Sequence, residues 1–305
     1  MPAVQPNEAS HTHAMTGSLL VALAAIGSSG KAILVKLAYL HPVDAVTLLA
    51  LRMAFALPFF LLMGVLGKPA SAQGKLGRAD VAAVSGLGLL GYYLASFLDF
   101  WGLEYISAGL ERLILFLYPT LVVIFSFLFL GRPVRLKEMA ALMLSYSGIG
   151  LVFHRQVSVG QPGMVLGASL VFGSTVAYAA FLMGCHRVIQ KLGPRRFTAY
   201  GMTAACLACL AQFALTHPLS ALQVQTPVYA LALGMAVFST VLPSLLMSMG
   251  IQRIGAGRAA LISSIGPVAT LGLAYAVLGE VMGWDQLLGS LLVLAGVLVV
   301  SLGKN

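Results

Sequence analysis

A run in the middle of this 305-residue chain returns near its end. Between Leu98 and Gly148, matches recur 148 residues later: Gly102/Gly250, Ile106/Ile254, Ala108/Ala256, Gly109/Gly257, Leu113/Leu261, Ile114/Ile262, Pro119/Pro267, Leu130/Leu278, Gly131/Gly279 and Gly148/Gly296. Leu, Ala and Gly are common here, so part of this list is chance. Four glycines and a proline in register are harder to obtain that way. The loops that follow differ in sign. Arg132, Arg135 and Lys137 follow Gly131, whereas Glu280 and Asp285 follow Gly279. A loop that is basic in one copy and acidic in the other fits two halves that enter a membrane in opposite senses.

Composition places most of the chain in lipid. It is 59% hydrophobic and 9% charged, against about 25% charged residues in soluble domains. A spanning helix needs about 20 apolar residues. Ten candidate spans follow: 16–38, 43–65, 80–103, 106–130, 136–154, 163–185, 197–216, 228–249, 257–279 and 285–302. The expected fold is all-α and integral to the membrane. A first repeat covers 16–154 and an inverted second repeat covers 163–302, with five spans each. Gly17/Gly163, Leu20/Leu166, Gly27/Gly173 and Ser28/Ser174 relate the first helices of the halves at a spacing of 146. Residues 1–15 are polar and lack Lys and Arg, so they read as a disordered tail and not as a signal-peptide start.

Lys and Arg outnumber Asp and Glu by 18 to 9. Their placement gives an orientation and argues against nucleic acid as a partner. With the N-terminus in the cytoplasm, the inside loops hold Lys68, Lys75, Arg78, Arg132, Arg135, Lys137, Arg187, Lys191, Arg195, Arg196, Arg253, Arg258 and Lys304. The outside loops hold Arg155 alone. This bias puts both termini of a multi-pass protein in the cytoplasm, in the cell (cytoplasmic) membrane. Cys185, Cys206 and Cys209 fit no disulfide framework; the pair spaced C-x-x-C lies in an apolar helix and reads as small buried residues. His11 and His13 alone do not make a metal site. The run Ala25-Ile26-Gly27-Ser28-Ser29-Gly30-Lys31-Ala32 lacks the first Gly of a phosphate loop and the Ser/Thr after its Lys. No metal or cofactor is expected.

The run Ile106-Ser107-Ala108-Gly109-Leu110-Glu111-Arg112-Leu113-Ile114-Leu115-Phe116-Leu117-Tyr118-Pro119-Thr120 resembles the fourth helix of EamA-type transporters, in the drug/metabolite transporter superfamily. Ala256-Gly257 through Pro267 to Leu278-Gly279-Glu280 resembles that family's second unit. The resemblance covers nearly the whole chain and implies ten spans, alternating access, and a central cavity lined by spans one, three, four, six, eight and nine. It leaves the substrate open. Glu280 keeps an acid the family often has after Leu-Gly, while the first half has Arg132 in its place.

Charge within spans belongs almost entirely to the first half. A central Lys, Arg or Asp costs about 2.5–3.5 kcal/mol on insertion, so such residues are expected to face the interior with partners. Helical spacing gathers Ser28 and Lys31 on the first span; Tyr92, Ser96 and Asp99 on the third; Glu111, Arg112 and Tyr118 on the fourth. Ser174 and Tyr178, Ser244, and Ser263 offer a hydroxyl wall from the second half. These twelve residues are the expected substrate-binding set, for a small polar, amphipathic or zwitterionic metabolite. Lys31 or Arg112 is expected to hold an anionic group. Glu111 and Asp99 are the candidates for proton coupling, and Pro119 and Pro267 for bend points. Arg52, on span two, reads as structural, and an ion network without a ligand remains open for the buried charges. The expected activity is secondary transport, most simply export. A polytopic enzyme acting on lipid and a passive channel are the alternatives, and a monomer and a dimer both remain open.

Overall fold

A computed structural model describes residues 8–66, 77–131, 162–263, 265–280 and 283–302, with 133, 136, 139–140, 143–148 and 150–151 between them. Among the described residues the chain is helical, without a strand. The helices are α1 (Glu8–Ala38), α2 (Ala45–Leu66), α3 (Arg78–Gly88), α4 (Ala95–Gly102), α5 (Ala108–Leu115), α6 (Tyr118–Leu130), α7 (Met164–Leu192), α8 (Pro194–Thr216), α9 (Thr226–Ala236), α10 (Leu242–Ser263), α11 (Gly266–Leu278) and α12 (Trp284–Leu302). Helix α1 begins at Glu8, so it takes in half of the segment expected as a disordered tail. Of the expected fifth span, 136–154, residues 136, 139–140, 143–148 and 150–151 are described, and these are helical.

Among the described residues, seven segments are long and apolar enough to cross a bilayer: 15–38, 45–66, 78–102, 108–129, 164–185, 194–216 and 226–247. Gly266–Leu278 and Leu287–Gly296 are apolar but shorter. The outer surface carries bare apolar side chains such as Val65, Phe129, Leu215 and Trp284. A belt of this kind suits lipid, and it would be a liability in water. Pro58 sits inside α2 without ending it.

Irregularities in the helices follow the sequence repeat. A π-turn, Leu89–Leu94, joins α3 to α4, and a second, Val237–Val241, joins α9 to α10; they start 148 residues apart. Between α5 and α6 the backbone tightens at Phe116 (ψ 0°) and Leu117 (ψ −11°), and Pro119 stands in the first turn of α6. Ile265 (ψ −19°) precedes α11 in the same way, with Pro267 in its first turn. There the missing proline N–H costs no intrahelical bond. Gly131 (φ 63°) and Gly279 (φ 66°) close α6 and α11 in the left-handed region. Glycine reaches that region without strain, which accounts for one matched pair of the repeat.

Hydrogen bonding makes α10 a single helical run, but it is not straight. Phe238 lies beside Gly27, Gly250 and Ile254 beside Gly17, and Gly266 beside Ser29. The chain therefore descends along α1 and climbs back within 28 residues. A straight helix of that length would carry Gly266 about 42 Å away. The reversal lies between Gly250 and Gly266.

Packing exchanges partners between the halves. Helix α1 lies on α10 and α11, and α7 lies on α4, α5 and α6. Helix α2 packs on α8 and α9, and α5 on α11. The crossings rely on small residues, which let backbones approach where lipid supplies no hydrophobic drive. A Cβ at Gly102 would lie 2.8 Å from the Gly167 carbonyl oxygen, and one at Gly250 would lie 3.1 Å from that of Gly17. The main apolar core gathers on α2, where Leu48, Leu49, Met53, Ala56 and Phe60 are buried against α1, α8 and α9. Helix α5 starts where α11 ends: Glu280, just past α11, touches the N–H groups of Ala108 and Gly109. The two related helices thus run in opposite senses.

Candidate functional site

A cavity of about 570 Å³ lies between the halves. Its walls include Ala25, Ser28 and Lys31 of α1, Arg52 of α2, and Gly91, Tyr92, Ala95, Ser96 and Asp99 from the π-turn and α4. Helix α5 and the break after it add Arg112, Leu115, Phe116 and Tyr118; α7 adds Ser174, Tyr178 and Leu182; α10 adds Met247. The π-turn places Gly91 and Tyr92 on this wall. Such single-turn bulges recur at functional sites.

Lys31 is the centre of the charged wall. Its ammonium is paired with Asp99 and stands 3.3 Å from Glu111 Oε1. Asp99 is 1% exposed and Glu111 is 0% exposed, so neither carboxylate is solvated. Asp99 Oδ1 and both Glu111 oxygens lack a hydrogen-bond partner among the described residues. Glu111 stands behind the wall and reaches the cavity only through Lys31. Two carboxylates thus share one ammonium in the apolar interior, where an unbalanced charge is expensive.

The guanidinium groups are held by neutral partners. Arg112 donates from Nη2 to Ser29 Oγ at 3.2 Å and lies 5.7 Å from the Phe116 ring centroid. Its Nε finds no acceptor among the described residues. Arg52 donates from Nε to Thr240 Oγ1 at 2.9 Å and lies 5.2 Å from the Phe100 centroid. Thr240 belongs to the second π-turn, so that irregularity serves this arginine. Away from the charges, Tyr118 and Tyr178 meet edge to face at 5.4 Å, and Tyr92 packs on Phe181 at 4.9 Å.

Of the twelve expected residues, nine border the cavity: Ser28, Lys31, Tyr92, Ser96, Asp99, Arg112, Tyr118, Ser174 and Tyr178. Two of the hydroxyls also serve the backbone: Ser28 donates to the Ala25 carbonyl at 2.9 Å and Ser174 to that of Ala95 at 2.7 Å. Glu111 lies behind Lys31. Ser244 is not on the wall and donates to the Thr240 carbonyl; spacing placed it on a polar face but not which neighbour that face meets. The side chain of Ser263 lies outside the described residues. Arg52, read from sequence as structural because it sits on span two, borders the cavity. Its signal was present: a lone arginine near the middle of an apolar span.

Past the end of α11, hydrogen bonds tie neighbouring segments together. The Glu280 carboxylate accepts from the N–H groups of Ala108 at 3.0 Å and Gly109 at 3.3 Å, which caps α5 from the other half. Ser107 Oγ accepts from Leu110 N–H at 3.2 Å in the same turn. Lys36 donates to the Leu103 carbonyl at 3.0 Å, Tyr39 to that of Phe100 at 2.7 Å, and Ala45 N–H to Glu104 Oε1 at 3.0 Å. Toward the opposite end the walls become apolar, at Leu182 and Met247.

These features define a multi-pass helical membrane protein with a cavity between its helices that carries charged and aromatic side chains. The chain belongs to the EamA-like transporter family, whose model matches residues 15–154 and again 165–302. It is 31% identical over 290 residues to YcbK of Bacillus subtilis (strain 168), named an uncharacterized transporter, with 90% of this chain and 89% of that one covered. YyaM of the same organism, also named an uncharacterized transporter, is 28% identical over 227 residues, covering 73% and 74%. A crystal structure matches 97% of this chain and 98% of its own with a TM-score of 0.59 at 16% identity, a likeness of fold.

Proposed function

We propose that this chain is a secondary transporter of the cytoplasmic membrane that exports a small polar or amphipathic metabolite by alternating access. The observation that carries this reading is the cavity, about 570 Å³ in volume. Its walls come from both halves, and its buried charges have donors and acceptors left over. Pockets of that size suit small molecules. In this reading ten spans form two inverted halves, both termini are cytoplasmic, and access alternates as the halves rock about the cavity. The matched π-turns, helix breaks and left-handed glycines support the two-half arrangement. With the positive-inside orientation, the contacts around Glu280 lie on the outer side, where they would serve as a gate.

Asp99 and Glu111 are the proton-coupling candidates. Two carboxylates around one ammonium have room for one further positive charge, and a proton supplies it. Purified protein in liposomes preloaded with a metabolite pool tests the reading. Saturable uptake of labelled solute with counterflow is the expected result, and flux that neither saturates nor shows counterflow would replace the carrier with a channel. Uptake that responds to an imposed pH gradient at zero membrane potential is expected if the two acids carry protons; indifference returns them to a structural network.

A further inference from the structure

The three cations on the cavity wall are unequally engaged. Lys31 is held by Asp99 and Glu111. Arg52 and Arg112 contact hydroxyls and aromatic rings, and neither has a carboxylate in an ion pair among the described residues. Arg52 is the more deeply set, at 6% exposure. A guanidinium presents five N–H donors in one plane. Thr240 uses Nε–H, and Nη1 is buried without an acceptor among the described residues. Such a group in the middle of a bilayer calls for a counter-charge. Phe100 behind it and Thr240 beside it hold the plane of the guanidinium.

The charge of the cluster limits what can complete it. Lys31, Arg52 and Arg112 face Asp99 and Glu111, which leaves a single positive charge when all five are ionised. In that proton-free state a monoanion balances the cluster, and a proton on either acid adds one positive charge. A carboxylate is the planar, bidentate partner of a guanidinium. The remaining wall, with Tyr92, Tyr118, Tyr178, Leu182 and Met247, offers apolar surface to the rest of such a molecule.

We infer that Arg52 is the anion anchor of the cavity and that its ligand is an organic monocarboxylate with an apolar body. The inference deepens the transport reading by naming the chemical class of the solute, and only the word solute depends on that reading. Arg52 is then a specificity-determining residue contributed by α2.

Equilibrium binding to the full-length protein in detergent tests this with octanoate, phenylacetate and 3-phenylpropionate, each against its neutral primary amide. A hydrogen bond to a charged group is worth about 1.5–3 kcal/mol, so at least one acid is expected to bind about tenfold or more tighter than its amide. In Arg52→Gln that ratio falls close to one. A merely structural arginine predicts something different: both ligands weaken alike and the ratio stays. That result overturns the anchor, as does wild-type protein that prefers none of the three acids. Arg52→Lys keeps the charge without the fork and covers the case in which the Gln variant does not fold. A severalfold fall in the ratio supports the anchor, and an unchanged ratio overturns it. Arg52-dependent binding with no counterflow in liposomes rejects the transport reading and leaves the anchor standing.

Discussion

Lys31 and Arg112 carry the same charge but do different work. Lys31 is wedged between Asp99 and Glu111. Removing it as Lys31→Met leaves two carboxylates against each other in a dry interior, and breaking a buried pair in this way costs about 3–5 kcal/mol. The thermal midpoint in detergent is expected to drop sharply. It should recover by at least half in Lys31→Met/Asp99→Asn, which removes one acid with the lysine; no recovery would mean that the lysine stem, and not its charge, supports the fold. Arg112 has no carboxylate to strand. Arg112→Ala is expected to keep the thermal midpoint near wild type and to lower substrate flux by about tenfold or more, the value of one charged hydrogen bond. Normal flux would leave Arg112 as a packing residue on Phe116. Both lysine and arginine are visible in the sequence as charges out of place in apolar helices. Their division of labour is not, because it depends on which of them two acids, 12 residues apart, meet in the packed helices.

The elements are set largely by local chemistry. Asp44 shows how firmly a helix end can be pinned. It precedes α2 and accepts from Val46 N–H at 2.9 Å and Thr47 N–H at 3.0 Å through Oδ1, and from the Thr47 hydroxyl at 2.6 Å through Oδ2. Partial burial pushes its carboxyl up, but the Thr47 and Val46 donors with His217 outweigh this and hold it below the usual value of 3.8. A depressed carboxyl contributes stability above its unfolded value and loses it as the pH falls through the lower folded one. Asp44→Ala is therefore expected to cost about 1 kcal/mol at neutral pH. The two proteins should converge in thermal midpoint well below pH 3.8, and a gap that persists there would assign the loss to packing. Glu280 does similar work across the halves by capping α5. Its counterpart in the repeat is Arg132, which has no carboxylate to offer a helix N-terminus. The prolines and glycines of the repeat announced the helix breaks and ends. The π-turns were silent, since an extra residue in one helical turn leaves the apolar character of the span unchanged.

At the scale of the whole molecule, orientation remains a matter of charge. Thirteen Lys and Arg on one side against Arg155 on the other predict cytoplasmic termini. Single cysteines test it in a background without Cys185, Cys206 and Cys209. Ser158→Cys is expected to react with an impermeant reagent from outside intact cells, and Gln73→Cys only after permeabilisation; the reverse pattern would invert the protein and place the Glu280 contacts on the cytoplasmic side. By itself the sequence determined the helical, membrane-borne class, because insertion energy is a sum over local residues. It determined the repeat as well, because glycine and proline requirements recur wherever the backbone repeats. Only the tertiary structure decided which polar faces meet. It brought Arg52 of α2 to the cavity, set Glu111 behind Lys31, and left Ser244 off the wall, because helix rotation and partner exchange between the halves are settled by packing among many small residues. None of these choices leaves a mark within a single span.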